Sequence, residues 1–410
     1  MLDWLPWTPE ASSDALLSLR DDLAAFRAAI REWIRERLPS DWLDRLRGAD
    51  HETYVAFQKW WFAELSRVGL ATPHWPAEAA GVELPLSGQI VIYEELARAH
   101  APSPTLYAFS IYHVPATLLH AGTEPQRATY LPGVQERGDV WCQGFSEPNA
   151  GSDLASLRTR AEKVEGGYRV NGQKLWSSNG ADADFCLLLA RTDPSAPKHK
   201  GISYFILDMR SEGVDVRPIG QGNGESEFNE IFLDDVFIPD AGLIGKEGEG
   251  WGIAQATLAA ERGIIIFELV ERLRLAMDAM LHKGVAKEPG WWRNDASRQQ
   301  FLKLYSEMRG IQRLIRQGME SEGDPLVASL VKVAYGELLQ RYTDWVVHSG
   351  GLAAQVAEPL ALGTGRHGEM PMPDYLSSYI WTISGGTNEV LRNIIAERGL
   401  GLPRDPVKTA

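Results

Sequence analysis

The spacing of apolar and polar residues divides the chain into three parts. Apolar positions repeat at helical intervals in the first part, at a period of two from about Val140, and at helical intervals again from Gly250. The first part contains predicted helices at 13–38, 54–68, 90–99, 115–122 and 126–137. The last part contains predicted helices at 251–281, 295–319, 325–349 and 373–396, with a predicted loop at 283–294. The pattern therefore predicts an α+β fold in the order α, β, α.

The middle part is predicted to be a small barrel or sandwich of β-strands. Gly and Pro clusters separate apolar or alternating runs at 185–191, 202–207, 214–219 and 228–238. Two further alternating runs flank Gly166-Gly167 and are typical of a hairpin, because Gly accepts the positive φ of a tight turn. Asn171-Gly172 is a second turn signal.

Hydroxyl-bearing residues and glycines collect at the ends of these runs. Gly151 allows backbone N–H groups to approach a ligand, and Ser146 and Ser152 supply hydroxyl donors. Trp176 offers a flat apolar face with one N–H donor. This set suits an anionic or carbonyl-rich ligand such as a phosphate or a flavin. Two ordinary hairpin loops would have a similar composition, and because such loops are common the residue types alone favour that interpretation.

Composition and charge narrow the possible classes of protein. The chain has 410 residues and a formal net charge of −14, which argues against binding to nucleic acid or to an anionic membrane surface. No run approaches the roughly 20 apolar residues of a membrane span. Only Cys142 and Cys186 are present, so neither a disulfide framework nor a Cys zinc site is expected, and no His pair has metal-ligand spacing. We expect a soluble protein of a reducing compartment, the cytoplasm.

Two longer sequence motifs favour the ligand-binding interpretation over two ordinary hairpin loops. The run Ser-Glu-Pro-Asn-Ala-Gly-Ser-Asp at 146–153 is followed at 172–178 by Gly-Gln-Lys-Leu-Trp-Ser-Ser. Together they resemble the flavin-binding β-domain of the acyl-CoA dehydrogenase family, and a compound motif of this length is far more specific than a lone glycine pattern. Further similar words at 201–205, 227–236 and 248–252 extend the resemblance over essentially the whole chain.

The resemblance implies a fold, a cofactor and its contacts. The expected domains are an N-terminal α-helical domain at 1–139, a middle β-barrel domain at 140–241 and a C-terminal four-helix-bundle domain at 242–410. The expected cofactor is FAD. Ser146 and Ser178 would hydrogen-bond the isoalloxazine, Ser152 would lie near the pyrophosphate and the substrate, and Trp176 would pack on the flavin. The other cofactor contacts that the resemblance implies are Phe145, Gly350, Gly351, Thr387 and Glu389. Gly350-Gly351 could equally be a plain helix C-cap.

The family reaction is α,β-dehydrogenation of an acyl-CoA thioester to the trans-2-enoyl-CoA, by α-proton abstraction and β-hydride transfer to flavin N5. Many members carry the base as a Glu near the C-terminus, but that position is Gly385 here and has no side chain. The backbone N–H of Gly385 is instead expected to hold the thioester oxygen.

A second subgroup, which includes isovaleryl-CoA and long-chain dehydrogenases, places the base on the central helix before an Arg. This chain has Glu261-Arg262 there, so Glu261 is the expected base and Arg262 a substrate-positioning residue. A surface Glu-Arg pair is the plain alternative. The apolar neighbours Leu258 and Ile264–Ile266 favour the catalytic role.

The resemblance also implies partners. We expect an acyl-CoA substrate, an electron-transfer flavoprotein as acceptor, and a homo- or hetero-tetramer or a dimer, with roles in fatty acid metabolism and β-oxidation. The family's Arg-x-x-Phe-Gly word, whose Arg reaches the FAD pyrophosphate across a subunit interface, is absent; Arg293, Arg298 or Arg309 could substitute. An acyl-CoA oxidase of the same fold, one subunit of a hetero-oligomeric dehydrogenase and a non-catalytic partner subunit are the alternatives. Chain length, branching and ring content of the acyl group stay open.

Overall fold

The computed structural model describes residues 4–5, 13–261, 264–320, 325–356 and 371–404. The chain forms two compact units. The first comprises Met1–Glu95 with Pro102–Glu261, and the second comprises Leu96–Ala101 with Arg262–Ala410. Among the described residues, no helix has both the length and the apolar character required to cross a membrane.

Seven α-helices precede the strands in the described part of the chain. They are α1 (Ser13–Leu17), α2 (Leu23–Arg37), α3 (Trp42–Leu46), α4 (His51–Arg67), α5 (Leu86–Arg98), α6 (Val114–Ala121) and α7 (Glu124–Pro132). The single helix predicted over 13–38 is wrong, because Asp22 begins a new helix. Its carboxylate accepts hydrogen bonds from the N–H groups of Ala24 (3.0 Å) and Ala25 (3.1 Å), which are donors that a helix start leaves unpaired. Helix α7 ends at Pro132 and is followed at once by one turn of π-helix, Gly133–Arg137, so the helical turns predicted over 126–137 are confirmed.

The middle of the chain folds into one eight-stranded sheet. Its strands are β1 (Trp141–Gly144), β2 (Arg160–Val164), β3 (Gly167–Ser178), β4 (Phe185–Arg191), β5 (Ile202–Asp208), β6 (Val214–Pro218), β7 (Phe228–Pro239) and β8 (Leu243–Ile244). They are ordered β6-β7-β3-β2-β4-β5-β8, and β1 pairs in parallel with β4. Leu188, Phe205 and Ile231 lie in the apolar core of the sheet.

The predicted hairpin around Gly166-Gly167 is confirmed as β2–β3. The turn predicted at Asn171-Gly172 is wrong, because β3 continues through it with a register shift against β7 between Val170 and Gly172. Glycine is required at this point for space, since a Cβ on Gly172 would lie 2.4 Å from Thr159 Oγ1.

Helices return after the strands. They are α8 (Gly250–Glu261), α9 (Ile264–Lys287), α10 (Gly290–Arg293), α11 (Asp295–Glu320), α12 (Pro325–Val356), α13 (Pro371–Ser378), α14 (Ile380–Ile383) and α15 (Asn388–Ile394). Met277, Phe301, Tyr342 and Trp345 lie in the core of the second unit. The loop predicted over 283–294 is wrong, because α9 continues to Lys287 and α10 follows. The helix predicted over 373–396 is also wrong, since it is divided by a turn at Ser384–Thr387. The predicted α, β, α fold class is confirmed.

Candidate functional site

The end of β1 and the end of β3 lie side by side in the first unit. Leu175 N–H donates to Ser146 O at 2.9 Å, which places Phe145 and Ser146 beside Trp176. Phe145 is buried with its ring edge-on to Tyr204, whereas Ser146 is half-buried. The structure therefore brings together residues 145, 146 and 176 of the site predicted from sequence.

Trp176 has an unusual backbone and an unusual exposure. The register of β3 against β7 shifts between Lys174 and Ser177, and Trp176 within that bulge has φ +62°. A positive φ is costly for a bulky residue, and such strain collects at functional sites. The bulge leaves the indole 55% exposed, with Phe228 edge-on to it at 5.8 Å between ring centroids. Ser178, half-buried at the end of β3, pairs with Phe228 in the sheet.

A buried ion pair ties these two strand ends together. Lys174 is fully buried, and its Nζ donates to Glu147 Oε1 at 2.8 Å and to Phe145 O at 3.2 Å. Glu147 also accepts the backbone N–H groups of Arg158 (2.6 Å) and Thr159 (2.9 Å). Burial opposes ionisation of Glu147, but the Lys174 ammonium and these hydrogen bonds lower its pKa below the ordinary value. Burial lowers the pKa of the Lys174 ammonium, although Glu147 opposes that shift. These contacts fix the segment that carries Ser146.

Ser152 lies on an exposed turn after this segment. Glu147 and Ala150 exchange both backbone hydrogen bonds, at 3.1 and 3.0 Å, which closes a tight turn. The following Gly151 has open space, because a Cβ there would meet no atom within 4 Å. Asp153 is held by Lys198 Nζ at 2.6 Å. Ser152 is therefore presented to solvent on a loop that is anchored at both ends.

Helix α8 carries Glu261 as its last residue. The helix is anchored by Thr257, which is fully buried and whose hydroxyl lies 2.7 Å from Thr117 Oγ1 on α6. Residue 261 follows Thr257 by four positions, about one helical turn. The side chain of Glu261, and Arg262 and Gly263 entirely, lie outside the described residues.

A glycine turn joins α14 to α15 in the second unit. Gly385 (φ +63°) and Gly386 (φ +89°) are both left-handed, which non-glycine residues rarely adopt. Thr387 then caps α15, because its Oγ1 accepts Val390 N–H at 3.2 Å. Glu389 is exposed in the first turn of α15. Its pKa is lowered by its own backbone N–H and by the Thr387 hydroxyl.

Gly350 and Gly351 lie at a break within α12. Helix α12 continues to Val356, and Gly351 alone departs from helical geometry with φ +59° and ψ −142°. Both glycines are exposed. Two helical segments therefore meet at Gly351, and the alternative of a plain helix C-cap at this point stays open.

A surface pocket of 510 Å³ lies beside the start of α8. His120, His199, Lys200 and Trp251 line it together with glycines and Glu249. The His199 and Trp251 rings are 4.6 Å apart. Backbone N–H groups at a helix start, basic side chains and an aromatic face suit a ligand that carries phosphate groups and a ring.

Family comparisons cover each part of the chain. The model of the acyl-CoA dehydrogenase N-terminal domain matches residues 20–137, that of the middle domain matches 142–236, and that of the C-terminal domain matches 248–400. The acyl-CoA dehydrogenase IpdE1 of Mycolicibacterium smegmatis is 34% identical over 402 residues, which cover 94% of this chain and 99% of that protein. The chain belongs to the acyl-CoA dehydrogenase family.

Other relatives and solved structures agree with this assignment. The acyl-CoA dehydrogenase FadE29 of Mycobacterium tuberculosis is 32% identical over 359 residues, covering 83% of this chain and 88% of that protein. A steroid ACAD named Tcur3481-Tcur3483 has a TM-score of 0.78 at 28% identity, covering 97% of this chain and 100% of that chain. The ChsE4-ChsE5 complex from M. tuberculosis has a TM-score of 0.74 at 27% identity, covering 98% and 99%. The protein is thus an oxidoreductase, an acyl-CoA dehydrogenase of this flavoprotein family of lipid metabolism.

The residues at the β1–β3 edge fit the flavin that the family uses. Trp176 presents an exposed planar face, and Ser146 and Ser178 stand half-buried on the strand ends nearby. An apolar plane bordered by hydroxyl groups matches a flat ring system edged with carbonyls and ring nitrogens.

Three positioning groups escaped the sequence analysis. Glu147 and Lys174 stand inside the two diagnostic words, but only burial shows that they pair across them. Thr257 lies in a helix where nothing in the local pattern separates it from ordinary polar residues. No sequence signal could have found their contacts, because each partner is distant along the chain.

Proposed function

We propose that this acyl-CoA dehydrogenase binds FAD and converts an acyl-CoA thioester to its trans-2-enoyl-CoA. The exposed Trp176, held in a strained bulge beside Ser146, is the observation that carries the proposal. A soluble chain has little reason to hold a large aromatic residue exposed at a cost in backbone strain unless a ligand covers it. When bound, FAD would take up the β-hydrogen of the substrate as hydride at its N5.

Glu261 is the proposed base for the α-proton. A thioester α-proton is a weak acid, so the base must be a carboxylate held close to it and shielded from water. The Thr117–Thr257 hydroxyl pair secures α8 one turn before Glu261, which supports a fixed location for the base. Arg262 is proposed to position the substrate beside it.

Gly385 is proposed to supply the donor for the thioester oxygen. Charge builds on this oxygen as the α-proton leaves, and a preorganised N–H lowers the barrier. A backbone N–H in a rigid turn needs no side chain, which is consistent with glycine at this position. The left-handed φ of Gly385 and Gly386 supports a turn built to present its peptide groups.

The remaining contacts divide between the cofactor and CoA. Ser146, Ser178 and Trp176 are proposed to hold the flavin ring, with Phe145 behind them and Ser152 near the pyrophosphate and the substrate. The other proposed FAD contacts are Gly350, Gly351, Thr387 and Glu389. The pocket with His199, Lys200 and Trp251 has the charge and aromatic surface suited to the phosphate-bearing nucleotide of CoA.

The proposed substrate class is a bulky, ring-bearing acyl-CoA. The Tcur3481-Tcur3483 neighbour is named a steroid ACAD, and Ser384 and Gly385 are small residues that leave room near the proposed reaction centre. The names Tcur3481-Tcur3483 and ChsE4-ChsE5 each join two proteins, which supports a hetero-oligomer. Electrons are proposed to pass to an electron-transfer flavoprotein. We propose that the N-terminal, middle and C-terminal domains extend over residues 1–139, 140–241 and 242–410.

Anaerobic reduction of the flavin by a panel of acyl-CoAs tests the function. The purified chain is titrated with short, branched, long and ring-bearing thioesters while its visible spectrum is recorded. Bleaching by ring-bearing thioesters is the expected result. A flavin-loaded protein that no thioester bleaches would contradict the proposed reaction.

Substitution of the base tests its assignment. Glu261→Gln should retain flavin and thioester binding but lose turnover by about 100- to 10,000-fold, the usual share of a general base. Glu36→Gln is the matched control and should behave as wild type, because Glu36 is exposed on α2 and precedes an Arg as Glu261 does. Undiminished turnover of the Glu261 variant would place the base elsewhere.

A further inference from the structure

Lys332 lies in the interior of the second unit and reaches the glycine turn from α12. Lys332 is only 3% exposed. Its Nζ donates hydrogen bonds to Gly386 O at 2.7 Å and to Asn388 Oδ1 at 3.1 Å. A buried ammonium requires such acceptors, and hydrogen bonds from a charged donor are stronger than neutral ones. This contact is therefore well suited to hold a carbonyl in one orientation.

The turn that Lys332 contacts is flexible by composition and fixed at its two ends. At its start, Ser384 N–H donates to Ile380 O at 2.8 Å, the last bond of α14. At its end, Lys332 holds the Gly386 carbonyl. Between these points two glycines have the widest backbone freedom of any residue. The orientation of the Gly385 N–H therefore depends on both ends being held.

Packing of this segment against α12 does not require Lys332. Gly336 allows a close approach of the two backbones, since a Cβ there would lie 2.7 Å from Trp381 O. Gln340 Nε2 donates to Thr382 Oγ1 at 3.0 Å and joins α12 to α14 a second time. What Lys332 adds is the orientation of one peptide group in the turn.

We propose that Lys332 is a positioning residue for the reaction: it holds the Gly385–Gly386 turn so that the Gly385 N–H stays aligned for the thioester oxygen. The inference rests on the proposed role of Gly385. Lys332 acts through the peptide group and touches neither substrate nor flavin. Its loss should reduce stabilisation of the developing oxyanion while leaving the fold and the flavin in place.

The test uses a reaction that stops before hydride transfer. A thioester whose β-carbon bears no hydrogen, such as 3,3-dimethylbutanoyl-CoA, can lose its α-proton but cannot be oxidised. Exchange of its α-hydrogens with D₂O, followed by mass spectrometry on the flavin-loaded protein, reports enolate formation alone. Flavin content, the unfolding temperature, and kcat and KM for an oxidisable thioester are recorded alongside.

Lys332→Met should slow exchange and kcat by about 10- to 100-fold, somewhat less than complete loss of an oxyanion donor, with KM and flavin content near wild type. Glu337→Gln is the matched control on the same helix. Glu337 accepts Asn388 Nδ2 at 3.3 Å and pairs with Arg392, so it belongs to the same network without touching Gly386. It should exchange at the wild-type rate.

Wild-type exchange in a folded, flavin-loaded Lys332→Met variant would overturn the inference, as would an equal loss in Glu337→Gln. If Lys332→Met does not fold, Lys332→Gln takes its place in the same comparison, because its neutral amide is one atom shorter and carries no charge. Failure of the proposed function gives a different result, because the wild-type protein itself would then exchange no α-hydrogen of any thioester.

Discussion

Trp176 shows how much of this site depends on one residue's backbone. Its positive φ of 62° costs about 1–2 kcal/mol in a non-glycine residue, and its 55% exposure means that packing returns little of that cost. A residue kept for stability alone would show the opposite balance. The strain is consistent with a ligand-facing role.

Trp176→Gly should separate stability from flavin binding. Glycine relieves the strain, so the apoprotein should be as stable as wild type to within about 1 kcal/mol, although a buried Trp would cost about 3–5 kcal/mol. Flavin affinity, measured by fluorescence titration of the apoprotein, should fall at least about tenfold because base-like stacking is lost. Ala80→Gly is the control, since Ala80 has φ 57° and is exposed elsewhere in the same unit. Loss of stability without loss of flavin would make Trp176 a packing residue.

The sequence predicted the exposed half of this site better than the buried half. The motifs at 146–153 and 172–178 can be recognised directly along the chain. They contain Ser146, Ser152, Trp176 and Ser178. The Glu147–Lys174 pair stands in the same words, but its role depends on complete burial of Lys174. Burial of a charge is set by distant strands, and a sequence of polar residues does not reveal it.

At the scale of elements, sequence periodicity located most helices and strands but not their interruptions. The Asp22 cap and the Ser384–Thr387 turn each interrupt an element that continues by pattern. In each case a local hydrogen bond or a steric limit outweighs the hydrophobic period. The extension of α9 to Lys287 is the reverse error, because a polar segment was predicted to be a loop.

His74, in the segment between α4 and α5, contacts the one-turn π-helix Phe109–His113. His74 stacks on Tyr112 with 5.2 Å between ring centroids. Burial lowers its pKa to about 4 from 6.5, despite a hydrogen bond at Ile111 that raises it. Between these two pH values the unfolded chain binds the proton and the folded chain does not. Stability from this residue is thus fully present above pH 6.5 and is lost as the pH falls toward 4.

His74→Phe should reduce the acid sensitivity of the fold. The ring stack is retained and the penalty for protonation, no more than about 3 kcal/mol, disappears. The variant should therefore unfold at a higher temperature than wild type at pH 4.5, by more than at pH 7.5. The exposed His282 provides the control as His282→Phe, which should shift both temperatures equally. An identical shift for His74→Phe at the two pH values would show that His74 does not contribute to acid unfolding.

At the scale of the whole molecule, the second unit exposes apolar side chains on one helical segment. Leu376, Tyr379 and Ile383 are 38%, 45% and 64% exposed and follow one another at intervals of three and four along α13 and α14. This spacing puts them on one stripe of a continuous helical path. A stripe of large exposed apolar residues is typical of an interface.

The proposed assembly predicts that this stripe is covered by another acyl-CoA dehydrogenase chain. Purified wild-type protein should not be a flavin-saturated monomer of 45.5 kDa, because a second chain is expected to cover this stripe of exposed apolar side chains. Native mass spectrometry should show a dimer or tetramer, formed by this chain alone or with a co-expressed family member.

Tyr379→Asp should dissociate this oligomer, since a charge buried without a partner is costly at an interface. Val285→Asp places the same charge on a 62% exposed residue near the end of α9 and should leave the mass unchanged. A wild-type monomer that binds one FAD per chain would contradict the assembly, because it would show that no neighbouring chain is needed to complete the cofactor site.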